Sequence, residues 1–593
     1  MPPISRKINP MDPLWEDLET ETSAPAKVSF ETLSRILQEN ENTIFGKENL
    51  FESITTQNFK DRLPLTTYKS YESYIDRIAA GEDNVLSARE VKYFMTTSGT
   101  TGKSKLIPGG IGNHDTMDRL TFLQEYYDSK ENPGQATLLL VNKPPLQHDK
   151  TERHRMIGPF TAIIVQSTVD KALVDRSFWR SCTPPNIHLL ENYEEFCYLA
   201  ALYALRVRDL KVLRTTFLPN LLSFFHVVQY RWRELINDVR SGTITSSLLG
   251  LGEDVVESLR ANFIPDPAIA DDLEDIFNQG VHDGFISRLW PQLVLVACVT
   301  GGSFSMYVPQ LKSCLGPDVT VYSPFMIGSE GFYGTNYSPG EHESLYHPSV
   351  KLNYFEFIEE KDVDNEKPST LDLEDLKVGE RYEMVITNNG LYRFRMGDVV
   401  VIKSFHNKMP LFDMCYRLGS VINMVGEKTS EGHLLSVLQS MDNEIALECT
   451  DNDETSSARM FGEGVEAMHA QNSLQLIDFT TSVDTYGAAP RYIVYIELKG
   501  TEDAGEADDS RDRMWSSERF DRLLRMSNDQ YGLFREQGRL LPAEVRIVTA
   551  GLCSSLCDLA KANGTAEVQF KVPRLLTSDA QRKVIESKVR FVL

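Results

Sequence analysis

The stretch TTSGTTGKSK, Thr96–Lys105, follows the apolar run VKYFM (Val91–Met95) and ends in Gly-Lys-Ser, as the phosphate loop of a P-loop NTPase does. That motif, G-x-x-x-x-G-K-[ST], requires a glycine five residues before the second one. Counted back from Gly102, the position is Thr97, so the permissive backbone that the turn needs is missing. What remains is a strand followed by hydroxyls, two glycines and two lysines. Hydroxyls and exposed backbone N–H groups can wrap a polyphosphate, and lysines add point charge. The competing reading is a polar surface loop.

The chain has 593 residues, past the size at which one hydrophobic core usually divides, so two or more domains are expected. With 41% hydrophobic and 25% charged residues it reads as a soluble globular protein. Acidic residues outnumber basic ones 85 to 61, for a net charge of −24. Nucleic acid and anionic membranes both reward a basic face, so neither is an expected partner. A nucleotide substrate stays open, because a local pocket can be positive. The apolar run LVLVACV (Leu293–Val299) is far too short to span a bilayer, and the start MPPISRKINP has no apolar signal core. Eight scattered cysteines without metal spacing fit free thiols in a reducing compartment. A cytoplasmic monomer is expected.

One helix is marked by a 3.6-residue apolar stripe at Leu221, Phe225, Val228, Trp232, Leu235 and Val239, with Gly242 placed to cap it. The stripe reads as core packing, and one end of it, at Leu221 and Phe225, as a candidate wall of an apolar substrate pocket. Phe325 is a third candidate. Strand-like runs at Leu293–Val299, Val319–Ser323 and Tyr382–Thr387 each end near Gly, Ser, Thr or Asn. Such strand ends are where open α/β sheets gather ligands. After YRLGS (Tyr416–Ser420) the pattern changes, which places the main domain boundary between residues 418 and 419.

The loop TSGTTGKSK resembles that of the adenylate-forming superfamily, which includes acyl-CoA synthetases, peptide-synthetase adenylation domains and luciferases. Further stretches are similar to the auxin-responsive acyl-acid amido synthetase family: LPLTTYKSYESYIDRIAAGE from Leu63, LINDVRSGTI, RLWPQL, GSEGFYG, LYRFRMGDVV, FHNKMP, GEKTSE, PAEVRIV and QFKVPRLL. The resemblance implies an α/β fold. Its parts would be a large adenylate-forming domain, 1–418, of sheets flanked by helices with a barrel-like subdomain, and a smaller mobile α+β domain, 419–593. It also implies a ligase that uses ATP and magnesium to activate a carboxylic acid as acyl-AMP and then passes the acyl group to an amine, such as an amino acid.

Residue by residue, the resemblance implies that Thr97, Ser98, Gly99, Thr100, Thr101, Gly102, Lys103 and Lys105 hold the β- and γ-phosphates. Glu330 takes the place of the magnesium-binding glutamate, beside Ser329. Gly301, Gly302 and Ser303 form the adenine-side turn. Asp398 accepts from the ribose hydroxyls, or else pairs with Arg393 or Arg395, and Arg417 reaches the ribose. Lys571 is the lysine brought to the carboxylate and α-phosphate by rotation about a hinge near Gly419–Ser420. Met326 stands where the family has an adenine-stacking aromatic, Gly328 where it has a hydroxyl, and the phosphate loop is one residue shorter than in the plant enzymes. Two other functions stay open on the sequence: a thioester-forming ligase sharing the first half-reaction, and a non-catalytic nucleotide-binding regulator.

Overall fold

Runs of aliphatic and aromatic residues broken by Gly, Ser, Thr or Asn fold as strands. In the computed structural model the described residues are 13–96, 105–110, 136–142, 155–158, 160–175, 179, 181–190, 192–246, 248, 250–281, 283–301, 304, 308–337, 344–418, 422, 429–453, 476–484, 490–498, 513–536, 540–562, 570, 572–576 and 578–593. They fall into two compact units, one ending at Cys415 and one beginning at Tyr416. The strands in chain order are β1 (Tyr93–Thr96), β2 (Leu106–Gly109), β3 (Thr137–Leu140), β4 (Met156–Gly158), β5 (Val212–Phe217), β6 (Leu295–Val299) and β7 (Thr320–Tyr322). They continue with β8 (Phe325–Gly328), β9 (Gly331–Thr335), β10 (His347–Pro348), β11 (Tyr354–Glu359), β12 (Arg381–Thr387), β13 (Phe394–His406) and β14 (Met409–Arg417).

Two of the three apolar runs become neighbours. β6 and β7 lie side by side in a parallel sheet ordered β3-β5-β6-β7. Leu295 to Cys298 are all buried, as a strand covered on both faces requires. The carboxyl ends of these two strands run into Thr300–Gly301 and Ser323. The third run forms β12, which belongs to a separate sheet, β11-β12-β13-β14, where it pairs antiparallel with both neighbours. Two smaller sheets, β2-β1-β4 and β10-β9-β8, complete the strands of this unit among the described residues.

The apolar stripe from Leu221 to Val239 is divided between two helices, Leu218–Tyr230 and Trp232–Ser241, and not carried by one. The interruption is at Arg231 (φ −100°, ψ 17°), whose guanidinium lies 4.0 Å from the Tyr198 ring centroid and 2.7 Å from Glu234. Periodicity survives a break of one residue, so the stripe alone does not reveal it. Gly242 does cap the second helix, at φ 69°, where an L side chain would be strained and would meet Pro265.

The main core joins the beginning of the chain to the sheet β11-β12-β13-β14. Leu33, Ile36 and Leu37 of the helix Pro25–Asn40 are buried in one cluster with Phe45, Tyr71, Phe357, Tyr392 and Phe412. Phe45 stacks on Tyr392 with centroids 4.9 Å apart. Arg393 anchors this junction at φ 50°, a left-handed backbone that a non-glycine residue keeps only when its surroundings hold it. All five of its N–H donors are used. Nε and Nη2 grip Glu356 at 3.0 and 2.8 Å, Nη2 also reaches Thr370 at 3.2 Å, and Nη1 donates to the carbonyls of Lys60 (2.7 Å) and Leu63 (2.5 Å).

The second unit is built on β15 (Leu476–Asp484), β16 (Arg491–Leu498), β17 (Glu544–Val548) and β18 (Val589–Val592), adjacent in that order. Buried Arg574 pairs with Asp478 at 2.5 Å and Glu431 at 3.3 Å. Glu497, its pKa raised by burial, accepts from the N–H groups of Gly551 and Leu552 and so caps the helix Leu552–Ala562. The chain has the expected α/β fold with a larger first part. No helix among the described residues is long and apolar enough to cross a membrane.

Candidate functional site

Glu330 occupies a two-residue turn. β8 and β9 pair antiparallel until Gly328 faces Gly331, so Ser329 and Glu330 are the whole connection. Short connections of this kind fix the direction in which their side chains leave the sheet. The carboxylate is half-buried. Its Oε2 accepts from Ser329 Oγ at 2.7 Å, with the Tyr333 hydroxyl at 3.5 Å. The backbone carbonyl of Glu330 accepts from Asn388 Nδ2 at 2.9 Å. Asn388 follows β12, and its Oδ1 accepts from the N–H groups of Gly390 and Leu391. One amide side chain therefore joins the Glu330 turn to the turn that leads into Arg393 and β13.

The glycine at 328 has a steric cause. A Cβ there would lie 2.7 Å from the Tyr333 hydroxyl and 3.1 Å from Glu330 Oε2. The buried phenol of Tyr333 takes up the space that a side chain at 328 would need. Met326 is partly buried and packs against the main core, and Phe325 meets Phe332 with centroids 5.4 Å apart. Sequence reasoning passed over Asn388 and Tyr333. Asn388 had a signal, following the strand run Tyr382–Thr387, and Tyr333 lies within the stretch GSEGFYG but was not singled out there.

Asp398 lies on β13 and is 7% exposed. The ion pairs proposed for it with Arg393 or Arg395 do not form. Arg393 is committed to Glu356, and Arg395 holds Glu383 at 2.5 Å and the Val363 carbonyl at 2.7 Å. Glu383 sits on β12, beside β13, and Glu356 on β11, one strand further across the sheet, so local sequence could not identify them. Thr300 and Gly301 stand at the carboxyl end of β6. The Thr300 hydroxyl is buried and makes no hydrogen bond among the described residues, at the end of a parallel sheet where ligands commonly bind. Arg417 is exposed at the end of β14.

Lys105 is exposed, one residue before β2, with its ammonium 5.1 Å from the centroid of the Tyr68 ring. Thr97, Ser98, Gly99, Thr100, Thr101, Gly102, Lys103, Gly302, Ser303, Lys571 and the hinge at Gly419–Ser420 lie outside the described residues. Leu221 and Phe225 are fully buried on the helix Leu218–Tyr230.

Three family models match successive parts of the chain: the GH3 family N-terminal domain at residues 14–320, the central domain at 346–417 and the C-terminal domain at 461–580. A curated relative, the 4-substituted benzoates–glutamate ligase GH3.12 of Arabidopsis thaliana, is 28% identical over 592 residues, 97% of each chain. The solved AtGH3.15 acyl acid amido synthetase in complex with 2,4-DB superposes with a TM-score of 0.81 at 25% identity, covering 99% of this chain and 98% of that one. A 2-hydroxyisobutyryl-CoA ligase in its postadenylation state shares the fold, with a TM-score of 0.50 at 11% identity over 95% of this chain and 91% of that one.

Proposed function

Since the chain belongs to the GH3 family, we propose that it is an ATP-dependent acyl-acid amido synthetase, joining a small carboxylic acid to an amine, an amino acid by analogy with the glutamate named for GH3.12. In the first half-reaction a carboxylate oxygen bonds to the α-phosphorus of ATP, the α–β bridge breaks and pyrophosphate leaves. In the second the amine nitrogen attacks the acyl carbon, the bond to the phosphate oxygen breaks, AMP leaves and the nitrogen gives up a proton. Splitting the reaction turns a poor leaving group into a good one.

Both reactants of the first step are anions, so the site must neutralise charge and align them. The single observation that carries this reading is the Ser329–Glu330 turn, which offers one carboxylate on a backbone fixed by Asn388. The donor set suits magnesium, which takes one or two carboxylates together with substrate phosphates and waters. Among the described residues no group of three or more His, Cys, Asp or Glu could hold a metal without such help. Glu330 would hold the ion, which when bound offsets negative charge on the triphosphate.

The hydroxyls of Thr97, Ser98, Thr100 and Thr101, the backbone at Gly99 and Gly102, and the ammonium groups of Lys103 and Lys105 receive the β- and γ-phosphates. Gly301, Gly302 and Ser303 offer backbone to the base next to Met326, Asp398 and Arg417 hold the ribose, and Lys571 meets the carboxylate and α-phosphate. We assign residues 1–418 to acid and nucleotide binding and 419–593 to the part carrying Lys571, in a cytoplasmic monomer.

The test is ATP–pyrophosphate exchange over a panel of carboxylic acids, followed by mass analysis with mixed amino acids. With its acid the protein is expected to yield AMP and pyrophosphate; ADP and phosphate would overturn the assignment. A finer expectation concerns Asp398. A carboxylate that holds the ribose equally in ground and transition states contributes uniform binding, so Asp398→Ala should raise KM for ATP about tenfold while kcat changes less than threefold. Unaltered ATP kinetics would exclude the ribose role.

A further inference from the structure

The stretch TTYKSY, Thr66–Tyr71, has no role in the chemistry above, yet it is bonded to both halves of the nucleotide site. At one end the backbone of Thr66 adds to the start of β13. Its N–H donates to the Arg393 carbonyl at 2.8 Å, and its carbonyl accepts from the Arg395 N–H at 2.9 Å. Tyr71 reinforces this. Its hydroxyl accepts from the Tyr392 N–H and donates to the Tyr392 carbonyl, both at 2.8 Å. This is the strand that carries Asp398.

Three residues earlier, Tyr68 does the same to another residue. Its hydroxyl accepts from the Leu106 N–H at 3.1 Å and donates to the Leu106 carbonyl at 3.3 Å. Leu106 opens β2 and pairs with Thr96, the last residue of β1, so this pair closes the hairpin whose connection is the phosphate loop. β2 is the edge of its sheet, and the outward N–H and carbonyl of an edge residue need partners. The Tyr68 ring packs against Met95, Ile107 and Ile163, and its face lies under the Lys105 ammonium. A short 3-10 turn, Tyr68–Ser70, spaces the two tyrosines three residues apart on one side, and Thr67 and Ser70 cap it reciprocally.

We propose that Thr66–Tyr71 is a positioning segment that fixes the start of β2, with Lys105 just before it, relative to the strand that carries Asp398, Tyr68 holding Leu106 and orienting Lys105 toward the polyphosphate. The proposal rests on the adenylation reading. Neither tyrosine touches substrate. Their effect is preorganisation, which has Lys105 and the Asp398 strand in place before ATP arrives.

The test is Tyr68→Phe in the full chain, which keeps the ring beneath Lys105 and removes the hydroxyl. Amide exchange at residues 105–109 should quicken, KM for ATP should rise about tenfold, and kcat and KM for the acid should stay within about twofold. Faster exchange with unchanged KM for ATP overturns the proposal, as does a parallel loss in every constant with a lowered Tm, the mark of a merely structural residue. Wild-type protein is assayed first. If it shows no pyrophosphate exchange with any acid, the adenylation reading fails by itself, and isothermal titration with ATP decides the proposal: affinity must fall in Y68F, and equal affinity overturns it. Should Y68F not fold, wild-type exchange with and without ATP serves. Protection at 105–109 must then rise more than in β12, and an equal rise overturns it.

Discussion

Replacing Glu330 with alanine is expected to slow acyl-adenylate formation by about a hundred- to a thousandfold, roughly 3–4 kcal/mol. The size follows from what the side chain alone supplies. The turn itself should persist, because Asn388 holds the backbone carbonyl of residue 330 and not its carboxylate. Ser329 loses an acceptor but is only half-buried, so its hydroxyl can turn to water, and the buried Tyr333 hydroxyl loses no more than a 3.5 Å contact. What disappears is the negative charge that would hold magnesium beside the triphosphate, so the incoming carboxylate meets uncompensated like charge. The measurement is pyrophosphate exchange with saturating acid, with Tm as the control for folding. A loss below about tenfold at unchanged Tm would mean that Glu330 does not hold the metal.

The second large effect is expected at Lys571, and it should fall on one half of the reaction. Negative charge is crowded at the reacting oxygens only while pyrophosphate leaves, so a cation there is worth most in that transition state. Lys571→Ala should cut acyl-adenylate formation by about a hundredfold, close to 3 kcal/mol. Supplied with pre-made acyl-adenylate, the variant should still form amide at a rate near that of the wild type. The residues around position 571 favour a local effect. Phe570 and Val572 pack against the cluster of Ile493, Val548 and Leu576, and the Thr481 N–H donates to the Arg574 carbonyl at 3.0 Å. Removing the ammonium should therefore leave that segment in place. If both half-reactions fall together, the lysine serves structure and the division of labour between them is refuted.

The strands at Leu293–Val299, Val319–Ser323 and Tyr382–Thr387 were legible because a short apolar run with polar ends has few other ways to fold. Glu330 and Asp398 enter the proposed site from the resemblance of the stretches around them. Three kinds of feature were not legible. The break at Arg231 leaves the apolar stripe almost in phase, so a periodicity count passes over it. The acids that hold Arg393 and Arg395 are Glu356 and Glu383, 37 and 12 residues away, and only the register of β11, β12 and β13 brings them near. Tyr68, Tyr71 and Tyr333 act through tertiary hydrogen bonds or close packing, which local periodicity does not reveal.

The union of the chain's beginning with β11 to β14 also sets a timetable for biosynthesis. Tyr392 and Arg393 bond to Thr66, Leu63 and Lys60 across separations of 326 to 333 residues. At the usual elongation rate of about 5–20 residues per second, the ribosome takes about 15 to 65 s to cross that interval. Until then the helix Pro25–Asn40 is without the sheet that covers Leu33, Ile36 and Leu37. The N-terminal family domain ends at residue 320, before any of those strands has been made. A nascent chain of that length would expose sticky surface and depend on holdase chaperones, whereas one released beyond residue 417 contains every partner that this core requires.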